Sequence, residues 1–289
     1  MATFAQWKEG ARPHTWANAW APVIVGSAAA YYNGEFSWWR GLLALIVSWA
    51  LIIGVNFSND YSDGIRGTDE DRTGPLRLTG SGLAAPETVK RAAFICFGVA
   101  ALAGIVLAID VAWWLILVGM FCIAGAWFYT GGKNPYGYRG FGEVAVFIFF
   151  GLIAVLGTEF IHREKLSWVG LACAVGVGAI SAGVNLANNL RDIPTDQASG
   201  KITLAVTLGD ARTRLVYCLL VATPFIMSIL LAFASPWTLL SFAALALVLP
   251  AARPVVRGVT GKALIPVIGA TGKAMLAWAV LTALGLILG

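Results

Sequence analysis

Charge is scarce in this chain. Only 12% of its 289 residues are Asp, Glu, Lys or Arg, about half the share found in an ordinary soluble domain. With 58% hydrophobic residues and a mean hydropathy of +0.77, that shortage excludes a soluble globule. Cysteine is scarce too. Cys96, Cys122, Cys173 and Cys218 are the only four, each inside an apolar run and without the paired spacing of a zinc or redox site. There are two histidines, His14 and His162, and no HExxH, P-loop or GxGxxG motif, so no zinc-hydrolase or nucleotide-cradle signature is present.

Long apolar runs are abundant. About nine recur, at 17–33, 38–58, 91–109, 111–130, 143–161, 167–189, 213–234, 237–252 and 267–288, most of them long enough to cross a ~30 Å hydrocarbon core as a helix. They predict an all-α polytopic membrane protein in which 1–289 form a single domain. The stretch "SAAA" at 27–30 has the look of a signal-peptidase site, but Pro22 interrupts the run before it, and the first run is read as a retained span. The charges are also sorted. All but three of the twenty Lys and Arg (Arg40, Arg163 and Lys165) fall on one side if alternate loops face the same way. This is the positive-inside pattern. It predicts a cytoplasmic N-terminus and an outer C-terminus, and it accounts for the net charge of +5 without nucleic acid as a partner; the membrane expected is a bacterial plasma membrane.

A short cassette repeats. "GVNFSNDYSD" (54–63) and "GVNLANNLRD" (183–192) share Gly, Val, two Asn and the final Asp. Both sit at the end of an even-numbered run, so both face the cytoplasm, which predicts a pseudo-duplicated bundle with the cassettes opposed across its middle. Asn56, Asp60 and Asp63 fall at i, i+4 and i+7, one helix face. Asn185, Asn188 or Asn189, Asp192 and Asp196 make a second stripe of the same kind. Charges near a membrane are costly, and a solubilising face needs neither matched asparagines nor the same order twice. Oxygen ladders of this type suit hard cations, and Mg²⁺ takes one or two carboxylates with substrate phosphates and water. Arg66, Arg72 and Arg77 follow the first cassette, and Arg191 and Lys201 lie in or after the second. Interleaved with the acids, they suit a diphosphate clamp.

These residues resemble a family. "NFSNDYSDGIRGTD" and "NNLRDIPTDQASGKITLAV" are similar to the two Asp-rich motifs of the UbiA superfamily of intramembrane prenyltransferases, and "RPHTWANAWAPVIVG" near the start extends the likeness along the whole chain. "NDYSDGIRGTDEDRTGPLR" and "YTGGKNPYGYRGFGEVAVFIFFG" (129–151) resemble the branch that prenylates 1,4-dihydroxy-2-naphthoate in menaquinone synthesis. One departure stands out: in the superfamily pattern N-x-x-x-D-x-x-x-D, the last acid would fall at Gly64.

The resemblance implies a nine-helix fold and Mg²⁺ as cofactor, two ions bridging the diphosphate. It also implies a polyprenyl diphosphate donor, a 1,4-dihydroxy-2-naphthoate acceptor that loses CO₂, and membrane lipid around the protein. The expected metal ligands are Asn56, Asp60, Asp63, Asp69, Asp192 and Asp196. Asp60, Asp63, Asp192 and Asp196, with Lys133 and Tyr129 in a Y-x-x-x-K pair, are the expected catalytic set. Arg66, Arg72, Lys133, Arg191, Lys201 and Asn189 are expected at the diphosphate, and Arg139 and Glu143 are candidates to orient the acceptor. A π-rich lining for an allylic cation is sought in Tyr61, Trp127, Phe128, Tyr129, Phe147, Phe149 and Phe150. His14 and His162 are set aside as general bases, the first because it precedes the first span and the second because it lies on the outer side. "GVGAISAG" (176–183) allows close helix packing and is a candidate to shape a lateral opening. A transporter with midplane acids, a CDP-alcohol phosphotransferase and a prenyltransferase with another acceptor are the competing readings. The acids cluster at one membrane face, and Asp63-Gly64 lacks the D-G-x-x-A-R continuation.

Overall fold

In hydrocarbon every backbone polar group must be satisfied within the chain, which leaves helices as the solution for apolar runs of this length. The computed structural model, which describes residues 2–67 and 76–289, is helical throughout. A short α1 (Phe4–Gly10) precedes α2 (Ala17–Tyr32), α3 (Trp38–Ile65), α4 (Pro86–Asp110) and α5 (Leu115–Phe128). After them come α6 (Gly142–Arg163), α7 (Trp168–Ala198), α8 (Leu204–Leu231), α9 (Pro236–Val256) and α10 (Gly261–Leu288). Among the described residues, seven of these helices are long and apolar enough to cross a membrane. α2 and α5, at 16 and 14 residues, are the shorter members of the expected nine.

The axis of the bundle is α7. Of its apolar window 83% is buried, against 28–50% for the other six long helices. Small residues make that possible, because they let neighbouring backbones approach. A Cβ on Gly176 would lie 2.5 Å from the Trp278 indole, and one on Gly151 would lie 2.6 Å from the Gly178 backbone. The 176–183 stretch is therefore packing surface against α6 and α10, not the edge of an opening. Hydrogen bonds between helices lock the same region: Trp278 Nε1 donates to Ser228, and Tyr217 bonds Thr271. At the Gly151–Gly178 contact, α6 is wound as a π-helix over Phe147–Leu156. Such π stretches are rare and often accompany functional sites.

Apolar side chains cover the surface as well as fill the core. On α4, Phe94, Ile95, Leu102 and Ile109 are exposed, as suits a lipid-facing surface, while asparagines and acids lie inside. A second, smaller core joins α1, α3 and α4 through Ala11, Phe57, Leu78, Val89 and Phe97. The cassette helices run past the expected ends of the apolar runs, α3 to Ile65 and α7 to Ala198. Asp63 and Asp196 are thus helical and buried, and the ladders extend beyond the hydrophobic sequence that signals a span. At the opposite end Arg40 pairs with Asp110, and the Ser37 amide donates to Nδ1 of His162.

Candidate active site

Helices α2 to α7 and α10 surround a cavity of about 340 Å³ that reaches the charged end of the bundle. Its walls carry Ala44 at the far end of α3 and Asn59 near the charged end. At 1.5 Å per residue the cavity therefore runs roughly 22 Å along the bundle. Most of it is apolar: Val23, Leu107, Leu115, Val118, Phe149 and Ile161 line its length. This shape and lining suit an extended apolar chain.

At the charged end the lining changes to amides. Asn56 and Asn59 from the first cassette meet Asn185 and Asn188 from the second, and these are matched positions of the repeat. Asn56 Nδ2 donates to the Ala11 carbonyl (3.1 Å) and to Thr15 Oγ1 (2.9 Å), and Asn59 accepts from the Thr130 hydroxyl at 2.7 Å. Across the cavity, Asn185 and Asn189 donate to one oxygen of Glu143, at 3.2 and 2.7 Å. Tyr129 donates to Asn185. Glu143 is buried, and its second oxygen has no hydrogen-bond partner. In the absence of protein partners on that oxygen, the amides are what keep the group oriented.

The segment before α2 closes this end. Arg12, in the left-handed region at φ 51°, turns the chain into the short helix Pro13–Thr15, and Arg12, His14, Thr15 and Asn18 all line the cavity. His14 is set aside above as a general base because it precedes the first span; that position does not keep it out of the cavity lining. Burial first, then the Arg12 and Arg191 charges, lower its pKa to about 4, so the imidazole is neutral at neutral pH.

Beyond the amides lies a charged rim. Asp63 accepts from the Tyr138 hydroxyl at 2.7 Å and from Arg77 at 3.4 Å. Asp192 receives both Nε and Nη2 of Arg191 at 2.6 Å, and the same guanidinium reaches Asn188 at 2.9 Å. Asp196 pairs with Lys201 at 3.2 Å. Each acid is thus held beside a cation. Among the described residues, no three His, Cys, Asp or Glu side chains gather as a metal cluster.

Other expected residues sit elsewhere. Asp60 is fully buried, and its two oxygens accept the Leu78 and Thr79 amides at 2.7 and 2.8 Å. The loop so held lies on Gly64, where a Cβ would be 2.5 Å from Thr79. An acid at position 64 has no room in this chain. Arg66 donates to the Thr130 and Gly132 carbonyls. Lys133 and Arg139 are exposed and do not line the cavity. Asp69 and Arg72 lie outside the described residues. Of the seven aromatics, Tyr129, Phe149 and Phe150 line the cavity. Tyr61 stacks on Trp127, Phe128 is exposed, and Phe147 packs against Gly178. Sequence reasoning missed Arg12, Thr15, Tyr136 and Tyr138, which loops bring in. It also missed Asn59, which the register of the repeat already pairs with Asn188.

Residues 19–267 match the UbiA prenyltransferase family. Over 283 residues the chain is 57% identical to the 1,4-dihydroxy-2-naphthoate octaprenyltransferase of Mycobacterium tuberculosis, covering 98% of this chain and 97% of the relative. The enzyme of the same description from Escherichia coli is 36% identical, with 98% and 95% covered. A solved UbiA homolog from Aeropyrum pernix has the same fold, with a TM-score of 0.71 at 16% identity, covering 95% of this chain and 97% of that one. Another, from Archaeoglobus fulgidus and bound to GPP and Mg²⁺, has a TM-score of 0.63 at 12% identity, with 98% and 100% covered.

Proposed function

The chain belongs to the UbiA prenyltransferase family, and from that premise we propose that it transfers a polyprenyl group from an allylic polyprenyl diphosphate to 1,4-dihydroxy-2-naphthoate in menaquinone synthesis. The observation that carries this is the stacking of three environments along one axis: an apolar cavity, a tier of four asparagines and a charged rim. They match, in order, a polyprenyl tail, a hydroxylated aromatic acceptor and a diphosphate. The whole-length likeness to naphthoate octaprenyltransferases supports the choice of acceptor.

Mg²⁺ fits the rim by the chemistry of its donors. Those of Asp63, Asp192 and Asp196 are all oxygens, and the acids are dispersed, which suits an ion that takes one or two carboxylates and completes its shell with phosphate and water. Asp63 on one wall and Asp192 and Asp196 on the other would hold it, with two ions as the proposed number. When bound, Mg²⁺ supplies charge neutralisation to the departing diphosphate. Arg66, Arg77, Arg191 and Lys201 add direct contacts to the phosphate oxygens.

The allylic C–O bond breaks with its electron pair leaving on diphosphate. The faces of Tyr129, Phe149 and Phe150 stabilise the cation, a contact worth about 2 kcal/mol or more when desolvated. The ring carbon bearing the carboxylate attacks, and loss of CO₂ returns an electron pair to the ring. Because the ring loses CO₂ and not a proton, this step needs no general base. Asn56, Asn59, Asn185 and Asn188 would hydrogen-bond the acceptor's hydroxyls, with Glu143 and Tyr129 fixing Asn185. By the bias of its Lys and Arg, the charged end is cytoplasmic and the C-terminus outside, and the likeness to bacterial enzymes supports a bacterial plasma membrane.

The test is to incubate membranes with Mg²⁺, a polyprenyl diphosphate and carboxyl-labelled dihydroxynaphthoate, with 4-hydroxybenzoate in a parallel arm. Mg²⁺-dependent prenylation of the naphthoate with release of labelled CO₂ is expected. Prenylation of the benzoate alone, or of neither, would overturn the reading.

A further inference from the structure

Tyr138 links the first cassette to the segment that follows the second. Its hydroxyl donates to Asp63 of the first at 2.7 Å. Its ring lies 5.5 Å from the Arg66 guanidinium and 5.4 Å from the Lys201 ammonium, and Lys201 is the partner of Asp196 beyond the second. Its carbonyl accepts the Ile202 amide at 3.1 Å, so the α7–α8 loop is tied to it as well. The turn that carries it, Tyr136–Arg139, is held on both sides: Gly137 packs against the Tyr129 carbonyl, where a Cβ would be 2.6 Å away, and Gly140 takes φ 80°.

Two cations drawn to one half-buried ring repel each other, and more strongly there than in water. The π face offsets part of that cost, and an anion between them would offset more. Arg66 donates to carbonyls, which leave its charge intact. We propose that Tyr138 is a positioning residue that joins the two walls of the site: its hydroxyl sets Asp63, and its ring gathers Arg66 and Lys201 as a cation pair for the donor's diphosphate. This rests on the reading that the rim takes a diphosphate, and it adds which side chain assembles the rim.

The two halves of Tyr138 can be separated. In full-length protein in lipid nanodiscs, binding of inorganic diphosphate with Mg²⁺ is measured by calorimetry, and donor KM and kcat by prenyl transfer. Tyr138→Phe and Tyr138→Trp keep a ring, and both should hold the diphosphate Kd and donor KM within about twofold. Tyr138→Phe should lower kcat about fivefold, the size of one lost hydrogen bond to a carboxylate. Tyr138→Leu should raise both Kd and KM about tenfold, and if it does not fold, Tyr138→Met serves the same comparison. In the Tyr138→Leu background, Arg66→Gln should cost less than it does alone, the signature of coupled residues. Equal shifts in the Phe and Leu variants, no shift in either, or independent effects of Arg66 and Tyr138 would overturn the proposal. If the wild type binds diphosphate yet prenylates no naphthoate, the acceptor reading falls and this one stands. If it binds no diphosphate, this one falls.

Discussion

The two cassettes share half of their ten positions and differ in most of what they hold. In the first, Asn56 and Asp60 bond backbone: the Ala11 carbonyl on one side, the Leu78 and Thr79 amides on the other. They fasten the N-terminal strap and the α3–α4 loop over the site. In the second, Asn185 and Asn189 fix the Glu143 carboxylate, and Asp192 and Asp196 hold Arg191 and Lys201. The first wall organises loops and the second mostly charge. The copies agree at the tier of four asparagines, at equivalent repeat positions on both sides of the cavity, and at Asp63 and Asp192, each beside an arginine. The duplicated motif thus keeps its amides at the cavity and its final acid beside a cation, and it diverges between them at Asp60 and Asn189.

The largest expected effect falls on the charge-holding wall. Asp192→Ala leaves the buried Arg191 without its bidentate partner and removes a carboxylate from the rim, so kcat should drop by roughly 10²–10³, read by steady-state prenyl transfer. Asp196→Ala should behave likewise. The loop-holding wall should fail differently. Asp60→Asn can keep only one of two amide bonds, and a bond to a charged group is worth about 1.5–3 kcal/mol. Hydrogen exchange in Mg²⁺-free protein should then lose protection at Leu78 and Thr79, while Asp192→Asn leaves those amides protected. If both variants or neither deprotect the loop, the contrast between the walls is wrong.

Gly64 sharpens the contrast further. Restoring the superfamily's acid with Gly64→Asp drives a side chain into Thr79 and should destabilise the protein by about 1–3 kcal/mol, seen as a lower thermal midpoint. Thr79→Gly in the same chain should recover most of the loss. The smallest effects belong to the shared tier. Asn59→Ala and Asn188→Ala should each raise acceptor KM about three- to tenfold, the range of one hydrogen bond, with donor KM unchanged. Unequal effects would break the symmetry that the repeat implies.

What could be read from the sequence follows from range. The spans were legible because an unbroken apolar run has one stable conformation in lipid, and the duplicated wall because Asn56 and Asn185 share a register. The helix ends were not: Asp60 and Asp63 end the hydrophobic signal at 58, yet their hydrogen bonds carry α3 on to Ile65. Tyr138 and Arg12 were invisible because loops bring them in, and only the fold shows what a loop residue faces. Lys133 shows the converse. Its Y-x-x-x-K spacing points to the site, but the turn after Gly132 (φ 75°) leaves it exposed.

The most direct test is a structure of the protein with Mg²⁺ and an unreactive thio analogue of a polyprenyl diphosphate. The diphosphate should lie between Asp63 with Tyr138 on one side and Asp192 with Asp196 on the other, its tail passing the four asparagines into the apolar cavity. A diphosphate bound away from both cassettes, or a tail lying outside the cavity, would contradict the assignment of the repeat as the two walls of one site.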